Sequence, residues 1–296
     1  MIEAATRRSR SSVLPALAVA VCGALWGILW YPMHAIEALG LGGGWTSLVF
    51  NLVVTLAPVP WLLRRNAWRG SSGQILTGLL LGTAFSLYLV SLVMTDIIHA
   101  ILLFYLTPVW STLAGRLWLG ERLTATRLLA MALGFAGLAA ILGVSDGLPL
   151  PRKVGDWVAL ASGMLWAAGT LRSFARPVSG IALPVFTFGL GGTLSSALIL
   201  LAAAFLAHPL AAGTPSAAIL PWMLVTALVI YLPPNALVLW AAQRIDSARV
   251  GILLMTEVLA GAVTAALFSG EAFGVADAAG TALIVAASLI EVTARR

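Results

Sequence analysis

The sequence predicts an all-α polytopic membrane protein: ten transmembrane helices forming two inverted five-helix repeats, with the N- and C-termini both cytoplasmic. Three observations predict this class. The composition is too apolar for a water-facing surface, the apolar runs approach the length of a bilayer crossing, and the basic residues gather on alternate connections. A match of the chain to itself predicts the repeats, which divide it into residues 1–147 and 148–296.

Of the 296 residues, 60% are hydrophobic and 9% charged, and the mean hydropathy is +1.01. Soluble domains carry roughly 25% charged residues, which cover the apolar core. Here that cover is too thin, so the outer surface is expected to face lipid. The surplus of basic residues, 17 against 11 acidic ones, is scattered among short connections rather than clustered. It therefore reads as membrane orientation and not as a nucleic-acid footprint. A lone cysteine, Cys22, lies in an apolar run with no second thiol, which excludes a disulfide framework or a thiolate metal site. Arg7, Arg8 and Arg10 before an apolar stretch imitate a signal peptide. That stretch runs from Val13 to about Tyr31, longer than the roughly 7 to 15 residues of such segments, and reads as the first membrane helix.

Runs near the ~20 residues of a bilayer span fall at 13–36, 44–63, 73–94, 97–118 and 125–144, then at 155–173, 183–207, 219–242, 249–268 and 275–293. Their length and lack of period-two alternation favour helices over a membrane barrel. Alternate connections place Arg7, Arg8, Arg10, Arg64, Arg65, Arg69, Arg116, Arg122, Arg127, Arg172, Arg176, Arg244, Arg249, Arg295 and Arg296 on one side, and only Arg152 and Lys153 on the other. The positive-inside rule makes the first side cytoplasmic, as expected of a multi-pass protein of an inner (plasma) membrane.

Sliding the chain by 150 residues brings Asp96 onto Asp246, Leu103 onto Leu253, Leu117 onto Leu267 and Gly120-Glu121 onto Gly270-Glu271. A slide of 140 brings Gly23, Leu25 and Trp26 onto Gly163, Leu165 and Trp166. Five helices per copy is an odd number, so the copies must insert in opposite directions. Arg116, Arg122 and Arg127 accordingly meet Ala266, Ala272 and Asp277 at the 150-residue offset.

With these residues in view, the chain resembles the drug/metabolite transporter superfamily, in its ten-helix EamA-type branch. The resemblance rests on Leu25-Trp26-Gly27, on the segment from Pro108 to Gly120-Glu121, and on its copy ending at Gly270-Glu271. Within the branch, Tyr105-Leu106-Thr107-Pro108 and the many aromatics are similar to the YddG-type aromatic amino acid exporters. One departure stands out: Glu257-Val258 replaces the proline expected in the second copy, so the ninth helix is expected to bend differently from the fourth. The resemblance implies a basket of ten helices around a central cavity, and export of small metabolites, aromatic or apolar amino acids first, by alternating access without a cofactor. No Gly-rich loop ending in Gly-Lys-Ser or Gly-Lys-Thr is present, so the drive is expected from gradients.

The candidate substrate-binding residues are Trp26, Tyr88, Tyr105, Trp166, Tyr231, Asn235 and Glu257. Glu257 is the one acid or base deep in a span, where an ionisable group is costly and faces a cavity or a partner. Two roles stay open: accepting a proton or a substrate amine, or tying helices together. Tyr231-Leu232-Pro233-Pro234-Asn235 should kink the eighth helix and free carbonyls near Leu228 to Ile230. Trp26 and Trp166, at equivalent positions, either wall a cavity or pack. Tyr88 and Tyr105 need hydroxyl partners at that depth. Trp30, Trp45, Trp61, Trp118, Trp157 and Trp222 read as interfacial belt residues. His34 and His99 lie at span ends, as solvated histidines or a pH-sensing gate. Gly23 and Gly27, and Gly78 and Gly82, put small faces on their helices for close packing.

No span carries a central Lys or Arg, which disfavours phosphorylated or other anionic cargo. No metal-ligand spacing and no convergent acid, base and nucleophile set is visible. The competing class is a membrane-embedded enzyme acting on a lipid-linked substrate, for which the sequence offers no residues. Expected partners are the lipid bilayer and a small-molecule substrate, with no nucleic acid.

Overall fold

A computed structural model describes residues 13–63, 73–95, 97–143, 150–268 and 274–293. Arg7, Arg8, Arg10, Arg64, Arg65, Arg69, Asp96, Gly270, Glu271, Arg295 and Arg296, which entered the orientation and repeat arguments, lie outside them, as does the side chain of Trp30. The described chain is all-helical, with no strand.

Among the described residues, eight helical stretches are long and apolar enough to cross a bilayer: Val13–Glu37, Gly43–Leu62, Gln74–Ser91, His99–Leu119, Ala182–Phe205, Leu220–Ala241, Ser247–Phe268 and Val275–Thr293. The other two expected spans are helices of a different character. Ala125–Ile141 is apolar but has only 17 residues, and Val154–Ala175 has 22 residues with Asp156 in its first turn and Arg172 in its last. Apolar side chains such as Leu201, Phe205 and Val229 project outward, as a lipid-facing surface requires.

We label the helices used below. The first stretch is α1 (Val13–Ile28) and α2 (Trp30–Glu37), followed by α3 (Gly43–Leu56), α4 (Val59–Leu62) and α5 (Gln74–Met94). Next come α6 (Ile97–Phe104), α7 (Thr107–Leu119), α8 (Ala125–Ile141), α9 (Val154–Ala175) and α10 (Ala182–Phe205). The chain ends with α11 (Leu220–Thr226), α12 (Leu232–Ala241), α13 (Ser247–Leu254), α14 (Thr256–Phe268) and α15 (Val275–Thr293). The dominant packings are α5 with α9 and α10, α3 with α10, α8 with α15, and α1 with α14.

Small residues set these approaches, because without a hydrophobic drive between helices in lipid, close van der Waals contact must hold them. A Cβ on Gly27 would lie 2.2 Å from the Glu257 carbonyl oxygen, and one on Gly82 would lie 2.1 Å from that of Phe188. The α8/α15 contact is reciprocal. A Cβ on Gly137 would meet Gly280 O at 2.7 Å and Ile284 Cγ1 at 2.7 Å, and one on Gly280 would meet Gly137 O at 2.6 Å and Ile141 Cγ1 at 2.6 Å. A second correspondence links α1/α13 to α9/α6: Gly23 faces the Leu254 carbonyl and Thr256, and Gly163 faces the Phe104 carbonyl and Thr107.

Two of the long stretches are interrupted in mid-course at matching positions. Helix α6 ends at Phe104 and α7 starts at Thr107, while α13 ends at Leu254 and α14 starts at Thr256. In the first, Pro108 cannot donate to Phe104 O, and Thr107 Oγ1 donates to that oxygen instead at 2.6 Å. The second has no proline, yet it breaks in the same register, so the expected difference in bending does not arise at the position of the break. There Val258 N donates to Met255 O at 3.1 Å. The Leu254 carbonyl receives the Tyr105 hydroxyl at 2.9 Å, and Thr256 Oγ1 donates to Ala20 O and Leu253 O, both at 2.8 Å.

The Pro233-Pro234 pair is accommodated by a widened π turn over Ala227–Tyr231, in which Leu232 N donates to Ala227 O, five residues back. Leu228 and Val229 are exposed on the outer surface. The segment whose carbonyls the proline pair was expected to free therefore does not line the cavity described next.

Candidate functional site

A cavity of about 370 Å³ lies between α1, α2, α3, α5, α10 and α14. Its mouth is formed by His34, Glu37, Gly43, Gly44 and Leu210, and its inner end by Trp26, Phe85, Tyr88 and Glu257. Helices place these groups by periodicity. Trp26, Leu29 and Met33 recur at three- and four-residue steps along α1 and α2, as do Phe85, Tyr88 and Leu89 on α5, so each helix presents one face to the space.

The inner wall is a cluster of rings. Trp26 lies with its centroid 5.0 Å from Phe85 and 6.0 Å from Trp166, the latter edge-on at 70°. Tyr88 stacks on Phe104 at 4.2 Å, and Phe104 meets Tyr105 edge-on at 5.3 Å. Such offset and edge contacts suit the ring quadrupole and hold the wall rigid. Among the described residues no acceptor reaches the buried indole N–H of Trp26 or Trp166.

Glu257 stands at the edge of this wall, in the first turn of α14 and next to the helix break. Among the described residues its hydrogen-bond partner is the Tyr105 hydroxyl, 2.7 Å from Oε2, and no basic side chain pairs with it. That hydroxyl also lies 2.9 Å from Leu254 O. A phenol has a single proton to donate. With Glu257 ionised, the two acceptors compete for it; with Glu257 protonated, the carboxyl can donate to the phenol oxygen and satisfy both. The carboxyl can therefore hold a proton there without leaving either acceptor unsatisfied.

A polar ladder flanks the cavity on the α3/α10 side. Ser47 Oγ and Ser196 Oγ lie 2.8 Å apart, Asn51 Nδ2 donates to Ser47 O at 2.9 Å and to Ser196 Oγ at 3.2 Å, and Ser86 Oγ is 3.2 Å from Ser196 Oγ. Tyr231 completes it by donating to Asn51 Oδ1 at 3.3 Å. Ser47 and Ser196 line the cavity; Asn51 and Tyr231 lie behind them.

Of the seven expected site residues, Trp26, Tyr88 and Glu257 line the cavity and Tyr105 touches it through Glu257. Trp166 forms the layer beneath Trp26, with a side chain 1% exposed. Tyr231 backs the polar ladder. Asn235 is fully buried away from the cavity, its Nδ2 donating to Tyr231 O at 2.7 Å and its Oδ1 without a partner among the described residues. Sequence reasoning passed over Phe85, Glu37, Ser47, Asn51 and Ser196. The signal for Asn51 was an amide inside an apolar run, where a lone polar group must find a partner. Phe85 gave none, since one phenylalanine in a span resembles any other. The expected belt residue Trp45 is only partly exposed, its indole nitrogen buried, whereas Trp61, Trp118, Trp157 and Trp222 are exposed at helix ends.

Away from the mouth, the opposite end is sealed by charge. Arg127, 2% exposed, pairs with Glu121 at 3.2 Å and Asp246 at 2.5 Å. Arg249 lies 3.8 Å from the buried Glu291 and donates to Val292 O at 2.9 Å. Asp246 caps α13 by accepting from Arg249 N at 3.0 Å. Beneath this layer, Ser111 and Thr170 both hydrogen-bond to Ser247. Burial, reinforced by the charge of Asp246, holds the Glu121 carboxyl above its usual range, against the pull of Arg127.

The geometry is that of a pocket open at one end of a helical bundle, and comparison with known proteins gives it a context. Residues 12–143 match the EamA-like transporter family. EamA proteins are membrane transporters, and the matched segment covers α1 through α8, which supply the Trp26, Phe85 and Tyr88 wall. A crystal structure described only as "Crystal structure of protein" shares 20% identity with this chain, at a TM-score of 0.70, over 94% of this chain and 95% of its own. At that identity the likeness establishes the fold, which extends through the second half. No curated protein matches the chain. The apolar helices make this a multi-pass membrane protein, and its residues 12–143 are similar to the EamA-like transporters.

Proposed function

We propose that the chain is a secondary transporter of the bacterial inner membrane. It exports small amphipathic metabolites that carry an amine beside an aromatic or apolar body, the group that includes the amino acids handled by the YddG-type exporters it resembles. The observation that carries this reading is the 370 Å³ cavity with rings on its inner wall and, at its edge, Glu257, which is hydrogen-bonded to Tyr105 and has no basic partner among the described residues. Pockets of this size and lining suit a single small ligand.

Alternating access between two inverted five-helix repeats, ten spans in all, is the proposed mechanism. The reciprocal Gly137/Gly280 contact and the matching breaks after Phe104 and Leu254 support it, since a twofold relation generates pairs of this kind. The 15-to-2 division of basic residues supports cytoplasmic termini and puts the cavity mouth outside. The described state is then outward-open, with the charged layer around Arg127 closing the inner end.

The test is reconstitution into proteoliposomes and measurement of labelled substrate flux. A transporter gives saturable flux that falls at least ~10-fold in Glu257→Gln, the scale on which a site loses affinity when a charged partner is removed. Trp166→Ala lowers it further than it lowers expression. Absence of saturable flux with any amphipathic amine, or normal flux in both variants, ends the proposal.

A further inference from the structure

We propose that the cavity selects its cargo by net positive charge, so that an amine lacking a free carboxylate is preferred over the zwitterionic amino acid with the same side chain. This rests on the transporter reading and narrows its substrate class.

Two carboxylates, Glu257 at the inner end and Glu37 at the mouth, belong to the lining, and no Lys or Arg among the described residues does. The remaining titratable groups there are His34 and Tyr88. A zwitterion entering such a space meets a partner for its ammonium at Glu257, while at the inner end, among the described lining residues, its carboxylate meets rings and the Tyr88 hydroxyl and no Lys, Arg or His, the His34 imidazole lying at the mouth. A buried charge without an opposite charge is disfavoured, and like charges nearby add to the cost.

The one feature that favours an anion is already occupied. The N-terminus of α3, with Gly43 and Gly44 on the cavity wall, is the positive end of a helix. A Cβ on Gly43 would come 3.1 Å from Glu37 Oε1, so the chain's own carboxylate lies against that terminus. The rings act in the same direction, because the faces of Trp26, Phe85 and Tyr88 attract an ammonium and repel an anion. Tyr88 supplies an independent sign of a polar guest. It lines the cavity at 4% exposure, and its hydroxyl has no hydrogen-bond partner in the protein among the described residues. It is left to bond whatever enters.

Proteoliposome flux on four matched compounds tests this: phenethylamine, phenylalanine methyl ester, phenylalanine and phenylpropionate. The expected order is amine and ester at least ~10-fold above the amino acid in kcat/KM, the range over which unpaired polar groups discriminate, with the acid inert. Glu37→Gln should lower the ratio of kcat/KM for the amine to that for phenylalanine, because it removes one of the two carboxylates that set the preference. Phenylalanine moving as well as phenethylamine would overturn the charge selection while leaving a working transporter. Equal losses for both compounds in Glu37→Gln would overturn the role of the mouth carboxylate. If none of the four moves or raises the thermal midpoint, the transporter reading falls with it.

Discussion

The two ends of this molecule use polar residues in opposite ways. At the mouth end, Glu257 and the Tyr88 hydroxyl face a cavity with few partners of their own. At the other end, Arg127, Glu121, Asp246, Arg249 and Glu291 pair with one another, and the hydroxyls of Ser111, Ser247 and Thr170 form a hydrogen-bonded chain below them. The difference teaches where this protein keeps its binding capacity. Groups satisfied internally hold helices together, and it is the groups with few partners at lipid depth to which the proposed transporter reading assigns the guest.

The largest expected effect of breaking this contrast comes from Arg127→Leu. It removes the guanidinium that Glu121 and Asp246 share, which costs about 3–5 kcal/mol. The thermal midpoint should fall, and hydrogen exchange should rise at Gly120–Thr124 and at Asp246; unchanged exchange would show that the charges do not seal that end. Next is Gly27→Ala, whose Cβ would press on the Glu257 carbonyl. Overpacking of this kind costs roughly 1–3 kcal/mol, and the variant should lose stability and flux together, whereas Gly40→Ala, with open space around it but a positive φ of 87°, should lose stability alone.

Smaller still is Asn51→Ala, which removes the centre of the polar ladder. Hydrogen bonds between membrane helices average about 0.6 and reach about 1.7 kcal/mol, so the midpoint should drop slightly, and a drop as large as that of Arg127→Leu would show the ladder to be the stronger clasp. The smallest effect is the pH dependence contributed by Glu121. Its folded-state pKa lies above the ordinary value of 4.5, so the folded protein holds that proton more tightly than the unfolded chain. Its contribution favours folding at low pH and is lost as pH rises from the ordinary value through the raised one. Midpoints measured across that window should show a decline that Glu121→Gln flattens.

The aromatic wall was partly legible in the sequence and the polar ladder hardly at all. Trp26 and Trp166 stood out because a 140-residue slide superposed them, and the rings do meet, at 6.0 Å. Glu257 stood out because a lone carboxylate in an apolar run is costly there. Tyr105 could be singled out as a hydroxyl in need of a partner, but not matched to Glu257, 152 positions away. Asn235 sat beside a proline pair that suggested a broken, ligand-facing helix, and the π turn turned that stretch into ordinary packing.

The sequence alone determined that the chain is helical and lives in lipid, since backbone groups in hydrocarbon must bond within their own segment and ~20 apolar residues suffice to cross. It also marked the costly polar positions. Which of those positions share one cavity, and which of them cancel each other, was decided only by tertiary packing. Glu121, Arg127 and Asp246 are each unremarkable as letters, and they become a seal because three helix ends converge on one guanidinium. Interactions between residues more than a hundred positions apart depend on how helices approach, and glycine contacts of a few ångströms set that approach.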